Sequence, residues 1–168
     1  MSLKGDRLEL ETDVTFFGNS VMTRGGIVSF AGFGSGAAND QSAAYIQYAA
    51  TASGNYPLGI LLNDMVNLDL TRQHINWYRD EVQQGGKLTI GKKGYWITNN
   101  LTQGPAAIAY GDIACLHNSG NIVNYPGSYE LAPYGTNSWN RAANPKIGRF
   151  LSVQDEDGYA KVEVQFPN

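Results

Sequence analysis

With 168 residues, 42% of them hydrophobic and 16% charged, the chain is long enough to bury one core and too apolar to be disordered. A formal net charge of −3 excludes binding by phosphate neutralisation, so no direct nucleic-acid partner is expected. The longest aliphatic run, Leu58 to Leu62, is far too short to cross a bilayer, so no membrane partner is expected either.

The opening residues, MSLKGDRLELETD, carry no apolar stretch of the kind that starts a secretory signal. Cys115 is the only cysteine, which excludes an intrachain disulfide and fits assembly in a reducing cytoplasm. Within RLELE, Leu8 and Leu10 alternate with charged residues, a strand pattern. Residues 1–24 as a whole are expected to form an N-terminal arm. The segments GIVSF (26–30), AAYIQYA (43–49), LGILL (58–62), KLTI (87–90), GYWIT (94–98) and IAYGDIACLH (108–117) follow. Each is bounded by Gly, Pro, Asn or Ser clusters, and their spacing of roughly ten residues is that of a barrel or sandwich. The expected fold is an all-β single domain over 1–168, a β-barrel or sandwich with a long loop near its C-terminal third and room for one short helix.

GFGSGA, after GIVSF, formally satisfies a dinucleotide fingerprint through Gly32, Gly34 and Ala37. That site needs a helix at once and an acid about twenty residues on, whereas a strand-like run follows here, so a β–β loop is expected. GGKL and GKKG lack the spacing of a P-loop, and no cofactor is expected. Asp64 and Asp69 could form a carboxylate pair for sugar hydrolysis, although solvated or capping acids are the simpler assignment.

DLTRQHINWYRDEVQQGG (69–86) breaks the strand rhythm. Leu70, His74, Trp77, Tyr78 and Val82 fall near helical spacing and Gly85-Gly86 would stop a helix, but an extended arm satisfies the same residues, and both remain open. His74 stands beside Asn76, Asp80 and Glu81; with two histidines and one cysteine in the chain, no zinc site is expected. Trp77, Tyr78, Tyr95 and Trp96 form the richest aromatic concentration, of which at least half should pack in the core.

Cys115, His117 and Asp112 invite a thiol-protease reading, but a nucleophile and its base normally converge from separate elements. Cys115, within IACL, is expected to be a small buried hydrophobe, and His117 to begin a turn. NYPGSYELAPYGTNSWNRAANP (124–145) is rich in Pro, Gly, Tyr and Asn, and 125–145 reads as a loop insertion whose aromatics favour an interface. At the C-terminus, Ala160, Val162, Val164 and Phe166 share one strand face, while Ile147, Leu151 and Val153 give the preceding strand a similar alternation. Asp157-Gly158 between them signals a hairpin, so Asp155, Glu156 and Asp157 are expected at a solvated turn and not in a metal loop.

The string YAATASGNYPLGILLNDMVNLDLTRQHINWYRDEVQQGGKLTIGKKGYWITNNL resembles the capsid decoration, or cement, proteins of tailed bacteriophages. So do TRGGIVSFAGFGSGAANDQ before it and GDIACLHNSGNIVN with PKIGRFLSVQDEDGYAKVEVQF after it. The similarity spans roughly 20–125 and 145–167; residues 126–144 have no counterpart in the pattern. It implies a β-rich virion protein, made in the host cytoplasm and placed on the capsid surface, that bridges neighbouring major capsid subunits. It also implies a homodimer or homotrimer without substrate or cofactor, and hence no enzyme. Contact residues are then expected at Arg72, Trp77, Tyr78 and Arg79, at Tyr129, Tyr134 and Trp139 on the exposed loop, and in the segment before Arg24. The alternative is a carbohydrate- or receptor-binding β-sandwich of a phage fibre or adhesin, motivated by Trp139 and the tyrosines.

Overall fold

A computed structural model describes residues 3–4, 7–33, 44–67, 80–104, 106–125 and 144–166. Thirteen strands account for nearly all regular structure there: β1 (Leu8–Asp13), β2 (Phe17–Gly18), β3 (Ile27–Phe33), β4 (Ala44–Gln47), β5 (Pro57–Leu61), β6 (Asp64–Val66), β7 (Glu81–Gln83), β8 (Ile90–Thr98), β9 (Leu101–Thr102), β10 (Ile113–Leu116), β11 (Ile122–Tyr125), β12 (Lys146–Phe150) and β13 (Ala160–Gln165). Eleven form one mixed sheet along the path β2-β4-β3-β5-β8-β13-β12-β10-β11-β9, with β1 added to β8; β6 and β7 pair separately and parallel. The all-β expectation therefore holds. The two ends of the path are two-residue strands, each in a parallel pair, while β1, which pairs only with β8 among the described strands, is a longer edge.

β8 is the spine. It pairs with β1 along 90–95, with β5 at 90–91 and with β13 along 93–98. A strand has two edges, so β5 and β13 share the edge opposite β1. The sequence splits this stretch into KLTI and GYWIT at Gly91–Lys93, whereas the structure joins Ile90 to Thr98 in one strand. The glycines are used for close approach. A Cβ on Gly91 would lie 2.3 Å from the Trp96 ring, and one on Gly94 would lie 2.0 Å from the Leu8 carbonyl oxygen.

Because one sheet supplies nearly all the strands, it buries its apolar face by bending over itself. Ile27 of β3, Ile60 of β5, Trp96 of β8, Leu116 of β10, Phe150 of β12 and Val162 of β13 all meet in the main core. A second core under β6 and β7 gathers Met22, Val28, Ile46, Leu61, Met65, Leu88 and Ile90, with Val82 packed against it. Polar groups join the folded-over halves. Ser119 N–H donates to the Ala49 carbonyl (2.8 Å), Ala52 N–H to Asn118 Oδ1 (3.0 Å), and Thr98 Oγ1 to the Gly25 carbonyl (2.8 Å).

The segment expected to be helix or arm is strand at Glu81–Gln83, since β7 lies beside β6 and Val82 is held by the second core, and it turns at Gln84–Gly85. Its earlier part, 69–79, lies outside the described residues. IAYGDIACLH is likewise divided: Ala109–Asp112 is a turn and only Ile113–Leu116 is strand. GFGSGA leads from β3 into β4, which runs antiparallel to it, so its flanking elements are two strands of a β–β connection; Gly34 and Ala37 lie outside the described residues.

The C-terminal hairpin is present, with Phe150 facing Val162. β12 ends at Phe150, however, and Leu151 and Val153 are not buried. A bulge at Ile147 explains the broken alternation: Ala114 faces Gly148 while Cys115 faces Lys146. The extra residue re-aims Ile147, so that it and Phe150 enter the same core.

Candidate functional site

Arg72, Trp77, Tyr78 and Arg79, like Tyr129, Tyr134 and Trp139, lie outside the described residues, as do Asp69 and His74. Their points of attachment are described. Residues 67–80 connect the parallel strands β6 and β7, and the base is closed by Asp64 N–H donating to the Asp80 carbonyl (2.7 Å). The Arg24 guanidinium contacts the Asp80 carboxylate, and the Arg24 N–H donates to Asp64 Oδ1 (2.7 Å). Asp64, a candidate hydrolytic acid, is thus engaged in holding this base together. Residues 126–143 connect β11 to β12, which flank β10 on either side, and Asn144 Nδ2 donates to the Tyr125 hydroxyl (2.8 Å) across that base.

The remaining candidates separate. Trp96 is fully buried in the main core, and Tyr95 is half-buried with Lys161 Nζ 3.9 Å from its ring centroid. Cys115 is buried against Ile113 and Val123 on the face of β10 opposite the main core, as a small apolar residue. His117 leads into the 3-10 turn Asn118–Gly120. Asp112 points to Asn124, whose Nδ2 donates to Asp112 Oδ2 at 2.8 Å. Among the described residues, no three His, Cys, Asp or Glu side chains gather as a metal-binding group. No described helix is long and apolar enough to cross a membrane.

Of residues 1–24, β1 lies along β8, and Leu3, Phe17 and Met22 are buried. Leu8, Leu10, Val14 and Val21 are exposed. The acidic turn is a corner with a second use. Asp155 Oδ1 accepts from the Tyr159 N–H (2.7 Å), Gly158 turns the chain at φ 84°, and Asp155 Oδ2 receives Lys4 Nζ at 2.9 Å. Lys4 also lies 4.1 Å from the Tyr159 ring centroid. The N-terminal residues are thereby latched onto a loop some 150 positions away, which no local pattern reveals.

Electrostatics follow these contacts. The hydrogen bond from Lys4, helped by the Tyr159 N–H, holds the Asp155 carboxyl below its ordinary value, and Asp155 in turn raises Lys4. Burial pushes Asp13 up, but hydrogen bonds from the Thr15 hydroxyl and from Lys92 outweigh it and leave the group lowered. Burial drives the Tyr48 hydroxyl well above its usual range; it donates to the Thr23 carbonyl and accepts from the Gly26 N–H.

A depressed carboxyl contributes above its unfolded value and loses that contribution as pH falls through its folded value. A raised lysine contributes below its unfolded value and loses it on the alkaline side. The latch therefore holds across neutral pH and opens in acid, below the ordinary aspartate value of 3.8. In an NMR titration, the Asp155 carboxyl should show a midpoint below 3.8 that moves back up in Lys4→Ala. An unchanged midpoint in the variant would show that the lysine does not set it.

Sequence reasoning missed the Asp112–Asn124 pair. Asn124 is fully buried; besides binding Asp112, it accepts from Gly104 N–H (2.9 Å) and donates to the Ala106 carbonyl (3.1 Å). The signal was present as Tyr110-Gly111-Asp112, a turn sequence absorbed into an apparent strand. Asn124→Ala leaves a buried carboxylate and two backbone groups short of partners, so it should cost about 2 kcal/mol in urea unfolding. A loss below about 0.5 kcal/mol would contradict the role given to this side chain.

The fold and these contacts define an all-β domain with long connections rooted at hydrogen-bonded bases. A scan against known protein families returned no match, and a search of curated proteins returned none either.

Proposed function

We propose that this chain is a virion structural protein that binds the outside of a tailed-phage capsid and cements neighbouring major capsid subunits, without catalysis or cofactor. The observation that carries this reading is the display of large apolar side chains by a hydrogen-bonded all-β body. Leu8, Leu10, Val14, Val21, Tyr56 and Tyr110 are all more than 40% exposed, on an edge strand, on stretches between strands and on one turn. Single exposed apolar residues are ordinary, but their repetition over the surface suits a protein working through broad, shallow contacts. The resemblance of 20–125 and 145–167 to capsid decoration proteins points the same way. A homodimer or homotrimer would present each contact several times, and repeated moderate contacts reach high avidity without a deep cleft.

The test is addition of purified protein to capsid shells that lack it. Saturable binding at a fixed ratio to the major capsid protein, with increased resistance of the shell to heat, is expected. Absence of saturable binding would overturn the proposal.

A further inference from the structure

Leu3, Lys4 and β1 are attached to the rest of the chain from two ends. β1 lies off the path that links the other ten strands of the large sheet, and among the described strands it pairs with β8 alone. None of its six side chains is buried, and from Arg7 to Leu10 every residue is exposed. At the tip, Leu3 is buried in the main core and bridges to Thr98, and Lys4 N–H donates to the Ile97 carbonyl (2.9 Å). Lys4 Nζ also meets Asp155 Oδ2, with Asp157 Oδ2 at 3.9 Å. At the base, Lys92 Nζ lies 2.9 Å from Asp13 Oδ2, while Asp13 Oδ1 accepts from the Thr15 N–H and hydroxyl. Beyond that base Val14 and Thr15 are exposed, and the chain is next buried at Phe17.

The surface that receives this segment is specific. It asks in order for an apolar side chain at Thr98, a cation beside Asp155 and Asp157, a strand along Ile90–Tyr95, and an acid at Lys92. Leu3, Lys4 and Leu8–Asp13 supply that order, and they are the ligand the structure shows in place. A second copy carries the same segment, so it makes every one of these contacts without new chemistry. Equal contacts alone favour the intramolecular arrangement, because a tethered segment has the higher effective concentration. The difference lies around the pivot. Among the described residues, four of the seven exposed large hydrophobic side chains, Leu8, Leu10, Val14 and Val21, fall on β1 or between it and β3. Within one chain they face water. Where the segment crosses to a neighbour, the two bodies meet along this stretch and cover them.

We infer that Leu3, Lys4 and β1 form an exchangeable strap, which pivots at Val14–Thr15 and lies on β8 of a second copy of this chain. The exchange joins copies through sheet hydrogen bonds, closing as a pair when reciprocal and as a ring when cyclic. It gives a physical linkage to the homo-oligomer of the cement reading above, and its test uses no capsid shells, so the two fail separately.

The experiment places cysteines at Leu8 and Tyr95, which face each other across β1 and β8. Directly opposed strand residues lie about 4.5–5.5 Å apart at Cα, within reach of a disulfide. Cys115 is buried and takes no part. Purified Leu8→Cys/Tyr95→Cys is separated by gel filtration, oxidised with copper–phenanthroline and run on a denaturing gel without reductant. The oligomer fraction should lose its monomer band to covalently linked chains, while Leu8→Cys and Tyr95→Cys alone stay monomeric on the gel. Glu11→Cys/Lys93→Cys, a second facing pair, repeats the test should the first variant fail to fold. An oligomer that yields only internally linked monomers overturns the exchange and leaves the cement reading standing. Linking of Leu8→Cys alone overturns it too, by placing two β1 edges side by side. Wild type that sediments as a monomer at the cross-linking concentration also sinks it. Interchain linking without binding to shells keeps the strap and overturns the cement reading.

Discussion

Gly148→Ala is expected to destabilise the domain by about 3 kcal/mol, seen as a lower urea midpoint. The position is inside β12, between β10 and β13, and faces Ala114 on one side and Val164 on the other. A Cβ there would lie 1.8 Å from the Glu163 carbonyl oxygen, 2.8 Å from its carbon and 3.1 Å from Val164 Cα. All three are backbone atoms, so no side chain can swing away to make room. Retreat of β13 is opposed by its six consecutive pairings with β8. The preceding bulge at Ile147 requires β12 to hold its place, since Ile147 and Phe150 both reach the main core from it. The strand must therefore separate from its neighbour or reset its register, and either loses ladder hydrogen bonds. A loss of less than about 0.5 kcal/mol relative to wild type would show that β12 and β13 are not this close.

Trp96→Ala should cost about 3–5 kcal/mol, the range for deleting a large buried aromatic. The indole is fully buried and lies over Gly91 and Gly94, filling the space that side chains there would occupy. Alanine leaves a void flanked by two glycines that have nothing to collapse with. Trp96→Phe is the informative companion. Among the described residues the indole Nε1 meets no hydrogen-bond acceptor. Phenylalanine removes that donor while keeping most of the volume, and should cost less than about 1.5 kcal/mol. Equal losses in the two variants would mean that the N–H is satisfied and that ring volume alone does not explain the site.

Much of the fold was legible locally because period-two alternation reports which residues can share one buried face. GIVSF, AAYIQYA and LGILL coincide closely with β3, β4 and β5, and YAKVEVQF with β13. Local pattern failed wherever a strand was very short or irregular. β2, β6, β7 and β9 have two or three residues each and are stabilised by their partners, leaving too few positions for a period to register. The bulge at Ile147 broke an alternation that extrapolation carried on to Val153. Ile108 to His117 reads as one apolar run, but a glycine at positive φ folds it into a turn and a strand.

For the candidate surface, residue type alone directed attention to the aromatics of the long connections. Tyr110, the most exposed of the large apolar residues described, sits in a stretch that looked like core.

The sequence alone determined that this is an all-β protein whose acidic triplet marks a turn, because alternation and turn residues act over a few neighbouring positions. Tertiary structure alone decided that Lys4 would find Asp155, that Arg24 would join Asp64 to Asp80, and that Asn124 would set the Tyr110 turn. Those partners lie between 12 and 151 positions apart. At such separations contact depends on how the sheet bends over its core, and that bend is set by glycine approaches and bulges summed across the whole domain.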